Sequence, residues 1–435
     1  MNAFMKLILM VSLLYLLILN NSFGQTLYFP PVSGDQWDSI SASSQGYCTA
    51  SIDSLYNMLE SENSKAFILL KDGRIVLEKY FGSFTQDSLW YWASAGKSLT
   101  AFLVGLAQQD GLLSLSDKTS DHLGTGWTNL PAAKENLITI FHQLSMTSGL
   151  DDTSGNKDCT DPECLRYLAD AGTRWAYHNA PYTLLDKVIE NATGQNLNVY
   201  SFQKLRNSTG IAGTFLKLGY NNVFFSRARS MARFGLLVLN KGKWNNTVVM
   251  RDTAYFSQMV NSSQQLNKSY GYLWWLNGKS SFMVPQIPFV LQGNLVPDAP
   301  EDMVAALGRD GQILCIVPSQ NMVWVRMGLS PETVPVPYLL GNKIWQYINR
   351  LQCSVSADDI YFTEIKVVPN PSSDDIVLDG VDYLTEYRIS DWSGKVIQKG
   401  WYEYKILTGA FKPGIYFITL NHRGKIKTLK WLKIS

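Results

Sequence analysis

Between Ala66 and Tyr80 an apolar run turns at Asp72-Gly73 and resumes. That pattern predicts a β-hairpin with a primed two-residue turn. From Ser94 to Gln109 the positions Leu99, Phe102, Leu103, Val104 and Leu106 cover nearly the whole circumference of a helix. Such a segment has no face left for water, so it predicts a buried central helix, stopped near Gly111. Pro181 to Asn191 reads as a second helix, with proline in its first turn and Gly194 just beyond its end, and Ser226 to Leu239 as a third. Strand text follows at Tyr270–Leu276, Met303–Leu307, Gln312–Val317 and Met322–Met327, and Lys343 to Leu351 is a last amphipathic helix. Strands near both ends with helices between them predict an α/β sandwich whose sheet draws strands from both chain ends.

The pattern changes after Ser354-Val355-Ser356-Ala357-Asp358. Beyond it, Ile365 and Val367, Ile376 and Leu378, Tyr387 and Ile389, and Tyr416, Ile418 and Leu420 alternate with polar residues between turn signals. A period of two predicts a small all-β sandwich over residues 361–435, joined through a linker at 354–360. At the other end, Lys6 precedes a short apolar run from Leu7 to Leu19, and Ser22-Phe23-Gly24 offers small residues for cleavage. The run is shorter than the roughly 20 residues a membrane span needs, so residues 1–24 read as a secretory signal and no stable membrane span is expected. No cysteine occurs before Cys48, which excludes a lipid anchor at the cleavage point.

Composition narrows the chemistry. Only 17% of the 435 residues are charged and the net charge is +2, so no global field calls for nucleic acid or an anionic membrane. Four scattered histidines and five cysteines give a metal site little to build on, and no cofactor enters the reading.

The chemistry concentrates in three segments. Ser94-Ala95-Gly96-Lys97 opens the buried helix, and its i,i+3 spacing puts hydroxyl and amine on one face. Burial pushes a lysine toward its neutral, basic form, and a helix N-terminus supplies amides for a developing oxyanion. The same pattern recurs at Ser154/Lys157 and Ser201/Lys204, but in a Gly/Asp-rich loop and in polar helical text. Tyr177-His178-Asn179 precedes the Pro181 helix: the tyrosine suits proton transfer, and the Asn amide can orient a substrate carbonyl or the lysine. His178 invites a Ser-His-Asp reading, but no Gly-x-Ser-x-Gly elbow exists in the chain. Arg309-Asp310-Gly311 lies between two apolar runs. Arg309 would meet an anionic or carbonyl group, Gly311 would let substrate approach the backbone, and the Gln312 N–H would add an oxyanion donor. The same tripeptide also makes an ordinary turn between strands.

In this order and at these intervals the segments resemble the serine β-lactamase and penicillin-binding-protein superfamily, nearest its class C-like branch, which also holds esterases and amide hydrolases. Supporting text includes His142-Gln143-Leu144-Ser145-Met146-Thr147-Ser148-Gly149-Leu150, Gly172-Thr173-Arg174-Trp175 and Tyr270-Gly271-Tyr272-Leu273-Trp274-Trp275. The resemblance runs from about Ser51 to Leu351 and implies an antiparallel sheet flanked by helices, in a hydrolase domain spanning residues 25–353. It also implies an acyl-enzyme on Ser94, with Lys97 and Tyr177 sharing proton transfers and Asn179 positioning substrate. Asp151 and Asp152 lie in the loop region where a deacylating acid would be sought. The third motif departs from the family, with Arg309 as its cation and Asp310 in place of a hydroxyl, which weighs against β-lactam recognition. The resemblance further implies that the first and last helices pack together, so that Cys48 pairs with Cys353. Cys159 and Cys164 flank a tight loop suited to a local bridge, and Cys315, inside an apolar strand run, reads as a free, buried thiol.

The tail is similar to the type A C-terminal sorting domain of the type IX secretion system. Pro369-Asn370-Pro371, Asp391-Trp392-Ser393-Gly394-Lys395, Gly414-Ile415-Tyr416 and the closing Lys425, Lys427, Lys430 and Lys433 carry that similarity. The expected molecule is thus a bacterial, secreted or surface-held serine hydrolase acting on a small ester, amide or short peptide, with residues 361–435 engaging the secretion machinery. A D-Ala-D-Ala carboxypeptidase or a true β-lactamase is the rival within enzymes, and a catalytically silent surface binding protein the rival outside them.

Overall fold

The computed structural model describes residues 27–331, 334–353, 365–381, 385–422 and 425–435. The signal segment and the linker expected above lie outside those residues. Two compact units divide the chain, one ending at Gln352 and the other running from Cys353 to Ser435.

In the first unit, helix α1 (Thr49–Ser61) leads into the hairpin of β1 (Ser64–Lys71) and β2 (Arg74–Tyr80). Lys71 pairs with Arg74 across Asp72 and Gly73, whose φ of 50° and 80° are those of the primed turn the dipeptide favours. The buried helix α2 (Gly96–Gln109) and helix α3 (Asn179–Thr193) pack against each other. Strand β3 (Asn221–Ser226) and helix α4 (Ala228–Leu239) follow. The short β4 (Trp275–Leu276), then β5 (Val304–Gly308), β6 (Gln312–Val317), β7 (Met322–Gly328) and helix α5 (Tyr338–Ile348) complete the unit.

The sheet runs β2-β1-β7-β6-β5-β4, antiparallel at every step. Strands β5, β6 and β7 are buried at every position. That is why they read as continuous apolar runs and not as alternation: both faces of the sheet are covered. Helix α4 lies across β1, β6 and β7, while α1 and α5 pack side by side. Helix α3 begins two residues before the expected proline start and ends at Gly194, which adopts φ 66° as a left-handed cap. The aromatic run Tyr270–Leu276 is not one strand. Leu273 takes φ 59° and folds the chain back, so that Tyr270 bridges to Trp275 and only Trp275–Leu276 joins the sheet. Six of its seven residues are apolar or aromatic, and all seven are buried, so burial alone accounts for the composition without an extended backbone.

The second unit has strands β8 (Lys366–Val368), β9 (Val377–Asp379), β10 (Glu386–Asp391), β11 (Val396–Trp401), β12 (Gly414–His422) and β13 (Lys425–Lys433). They form a two-stranded sheet, β8-β9, and a four-stranded one, β11-β10-β12-β13. The alternating residues expected inside, from Ile365 to Leu420, are its core, together with Phe411 and Trp431. Lys433, one of the four closing lysines, is buried and donates to Ser373 O and Thr408 Oγ1.

Cys159 and Cys164 are bridged, Cys315 is free and buried in β6, and the remaining two cysteines, Cys48 and Cys353, are both disulfide-bonded. Cys48 caps α1, and its N–H donates to Leu351 O just past α5.

Candidate active site

The head of α2 is a single tight turn, Ala93–Ala95, entered through Ala93 at φ 47°. A left-handed alanine costs about 1 kcal/mol or more, so the packing around this turn holds it against a local preference. One helical turn later, Lys97 Nζ donates to Ser94 Oγ at 2.9 Å. The lysine is only 4% exposed, and its ammonium rests on the ring faces of Tyr182 and Tyr177, 4.2 and 5.2 Å from their centres. Burial pulls its pKa down to about 7, while the carboxylates of Asp158 and Asp186 and the two ring faces pull the other way. An unshifted lysine would be neutral in about one molecule in a few thousand at pH 7. Here a large share is.

Tyr177 stands just before α3. Its ring stacks on Trp275 (5.7 Å, 26°) and meets the edge of Tyr270 (6.3 Å, 84°), so the folded-back aromatic segment fixes its position. Its hydroxyl is buried, and the Ser94 hydroxyl is the one group that eases the phenol's ionisation. Burial nonetheless raises that pKa far above neutral. Asn179, the first residue of α3, donates from Nδ2 to Asp158 Oδ1 at 2.7 Å, which leaves its buried Oδ1 without a partner. The side of Asn179 that remains available is therefore an acceptor.

Arg309–Gly311 is the turn between β5 and β6, with Asp310 at φ 63° and Gly311 at φ 83°. Arg309 lines the cavity that holds Ser94, Tyr177 and Asn179. Gly311 and Gln312, the two other residues expected there, do not. A Cβ on Gly311 would run into the guanidinium of Arg326, buried beneath the turn, whose Nη1 donates to Asp310 O and Gly311 O at 2.8 and 2.9 Å. Gln312 is fully buried, and its side chain clamps the backbone of Gly328. The glycine that meets the Ser94 turn is Gly308: a Cβ there would clash with Trp92 O and lie 2.8 Å from Ala95 N and 3.1 Å from Ser94 N.

The cavity encloses about 770 Å³. One wall is polar, with Asp152, Lys157, Asp158 and Arg174; the other is apolar, built from Met283, Val284, Pro285, Ile287, Pro288 and Val290. Among the described residues, Arg174 Nη1, Trp175 Nε1, the Tyr177 hydroxyl and Asn179 Oδ1 are buried on this cavity without a hydrogen-bond partner. Buried polar groups are normally paired, so their concentration here marks a surface that something polar completes.

The competing motifs fall away on geometry. Ser154 is in an exposed loop and Lys204 pairs with Asp110 at 2.5 Å. His178 is buried, does not line the cavity, and is held neutral by burial, its pKa pulled to about 4. Asp151 is hydrogen-bonded to Thr153 and Ser154, and Asp152 pairs with Arg174 at 2.6 Å. Sequence reasoning missed Asp158 and Asp186, because a lone carboxylate has no spacing signature. No helix among the described residues is long and apolar enough to cross a membrane.

Residues 63–333 match the model of the beta-lactamase family, and residues 366–434 that of the secretion system C-terminal sorting domain. An uncharacterized protein of Alkalihalophilus pseudofirmus is 24% identical over 306 residues, 62% of this chain and 84% of that one. Penicillin-binding protein 4* of Bacillus subtilis is 32% identical over 126 residues, but the match spans only 25% of this chain and 26% of that protein. Among solved structures, a family VIII carboxylesterase superposes with a TM-score of 0.52 at 14% identity, covering 71% of this chain and 99% of that one. The sorting domain indicates export in bacteria, to the cell surface or by secretion. With a family match across more than half of its length and the matching sheet-and-helix architecture, the chain belongs to the beta-lactamase family of serine hydrolases and ends in a secretion sorting domain.

Proposed function

We propose that the protein is an exported hydrolase that cleaves a small ester or amide through an acyl-enzyme on Ser94. The observation that carries this reading is the 2.9 Å bond between Ser94 Oγ and a buried Lys97 whose pKa lies near 7. Neutral Lys97 takes the Ser94 proton as Oγ bonds to the substrate carbonyl carbon. The oxyanion is met by the Ser94 N–H and, in view of the contact between Gly308 and the Ser94 turn, by the N–H of Arg309. Collapse of the adduct breaks the bond to the leaving group, which leaves with a proton from Tyr177. The phenol suits that role because burial keeps it protonated at rest. Water then attacks the acyl group and returns a proton to Tyr177, and Lys97 gives its own back to Ser94 Oγ as the acid departs.

The walls of the cavity bear on substrate class. The Met283–Val290 wall suits an apolar acyl or leaving group, and Arg309 and Lys157 suit an anionic substituent. Asn179 Oδ1 suits a substrate N–H.

A fluorophosphonate probe and a panel of p-nitrophenyl esters, anilides and a chromogenic cephalosporin test the reading. The probe is expected on the Ser94 peptide, with ester kcat/KM falling at least 1,000-fold in Ser94→Ala. Labelling that survives Ser94→Ala overturns it. Cephalosporin turnover exceeding that of every ester and anilide would favour the β-lactamase rival.

A further inference from the structure

The apolar wall of the cavity does not end where the cavity does. Residues 283–290 loop out between two short paired strands, Ser281–Phe282 and Leu291–Gln292. Gln286 is the one polar residue among the eight, and none carries a charge. The buried Asn267 clamps the base of the loop, donating from Nδ2 to Met283 O at 3.0 Å and accepting the Met283 N–H on Oδ1 at 3.1 Å. That clamp brings Leu266, its neighbour in the chain, into the same wall. Exposure then rises along the wall. Val284 is 4% exposed, Pro285 and Ile287 are half-buried, and Leu266 and Val290 are 36% and 44% exposed while still lining the cavity. Single apolar residues in water are ordinary. An uncharged apolar track that leads from the cavity of a candidate nucleophile into solvent is a surface for an apolar ligand to cover.

We propose that the substrate is an ester of a medium-chain fatty acid, whose alkyl chain, of roughly six to ten carbons, runs from Ser94 along this wall and leaves the cavity over Leu266 and Val290. The acyl side follows from the opposite wall. Tyr177, which serves the leaving group, belongs to the polar run 173–177 that lines the cavity. The leaving group therefore departs along that wall, and the apolar one is left to the acyl chain. With Asp152, Lys157, Asp158 and Arg174 across the cavity, the chain is covered on one side only. A fully enclosed methylene is worth about 4-fold in affinity, and one covered on a single side about 2-fold. The inference rests on the hydrolase reading of Ser94 and adds the class of acyl group.

The test is a series of p-nitrophenyl esters from acetate to decanoate, each kept below its critical micelle concentration. From butanoate to octanoate kcat/KM is expected to rise about 2-fold per methylene, about 16-fold in all. Leu266→Ser and Val290→Ser together should cut that rise to below about 4-fold, while Val290→Ile alone should preserve it. Both residues are exposed, so the variants keep the fold. A flat or falling series in the unaltered protein, or a rise that the double variant leaves intact, overturns the proposal. So does a rise that follows the alcohol in acetates of lengthening alcohols, which assigns the track to the leaving group. A rate that climbs only above the micelle concentration also overturns it, and assigns the track to a lipid surface. If no ester is turned over, the dissociation constants of butanoic and octanoic acid on the same proteins separate the two claims. A chain-length slope that the double variant loses keeps the track and sinks the hydrolase reading; no slope sinks both.

Discussion

Lys97 is held in the folded chain against its own solvation. Its pKa near 7, against 10.5 for a free lysine, means that the folded protein binds this proton less well than the unfolded chain does. The penalty is therefore present in full below pH 7 and fades as pH rises toward 10.5. Lys97→Met should abolish ester hydrolysis yet stabilise the fold by roughly 1–2 kcal/mol at pH 6, and by less at pH 9. Equal or lower stability at pH 6 by urea titration would show that the ring faces and carboxylates fully compensate the buried charge. Ser94 and Lys97 were legible in the sequence because their spacing sits at the head of an apolar helix. Asp158 and Asp186 were not, since their significance comes from burial and from neighbours distant in the chain. Tyr177 was legible by type, but Asn179 was read as facing a carbonyl or the lysine, and only the bond to Asp158 turns its acceptor side to the cavity.

Among the elements, β5 sets the geometry of the site through one missing side chain. Gly308 lets the strand lie against the Ser94 turn, and a methyl group there meets the backbone of Trp92 and Ala95. Backbone cannot swing aside as a flexible side chain can, so Gly308→Ala should separate strand from turn. The expected result is a loss of at least 30-fold in kcat with a stability cost of about 1–3 kcal/mol. Unchanged kcat at a normal melting temperature would remove β5 from the oxyanion site. The sequence pointed to the neighbouring glycine, Gly311, because Arg-Asp-Gly resembles a family motif. What occupies that tripeptide is a hairpin turn braced from below by Arg326. Long buried strands and helices matched their sequence periods within a few residues. The Tyr270–Leu276 segment did not, because apolar content reports burial and not backbone direction.

For the whole molecule, the division after Gln352 makes a direct expectation about the tail. A chain ending at Cys353 keeps the first unit, both ends of its sheet and all five cysteines. It should fold and retain at least half the ester kcat/KM of the full protein, while no longer reaching the cell surface. Loss of near-ultraviolet circular dichroism on truncation would make the tail part of the catalytic fold. Within the first unit, strand β1 is hydrogen-bonded to β7, with Ser64 opposite Gly328. The hairpin that emerges first therefore waits for a partner about 260 residues downstream. At about 5–20 residues per second, ribosomes need roughly 13–50 s to deliver it. Throughout that interval the inner edge of β1, rich in Phe67, Ile68, Leu69 and Leu70, has no strand to pair with. The sheet of this exported protein therefore cannot close until synthesis has passed Gly328, about three quarters of the way along the chain.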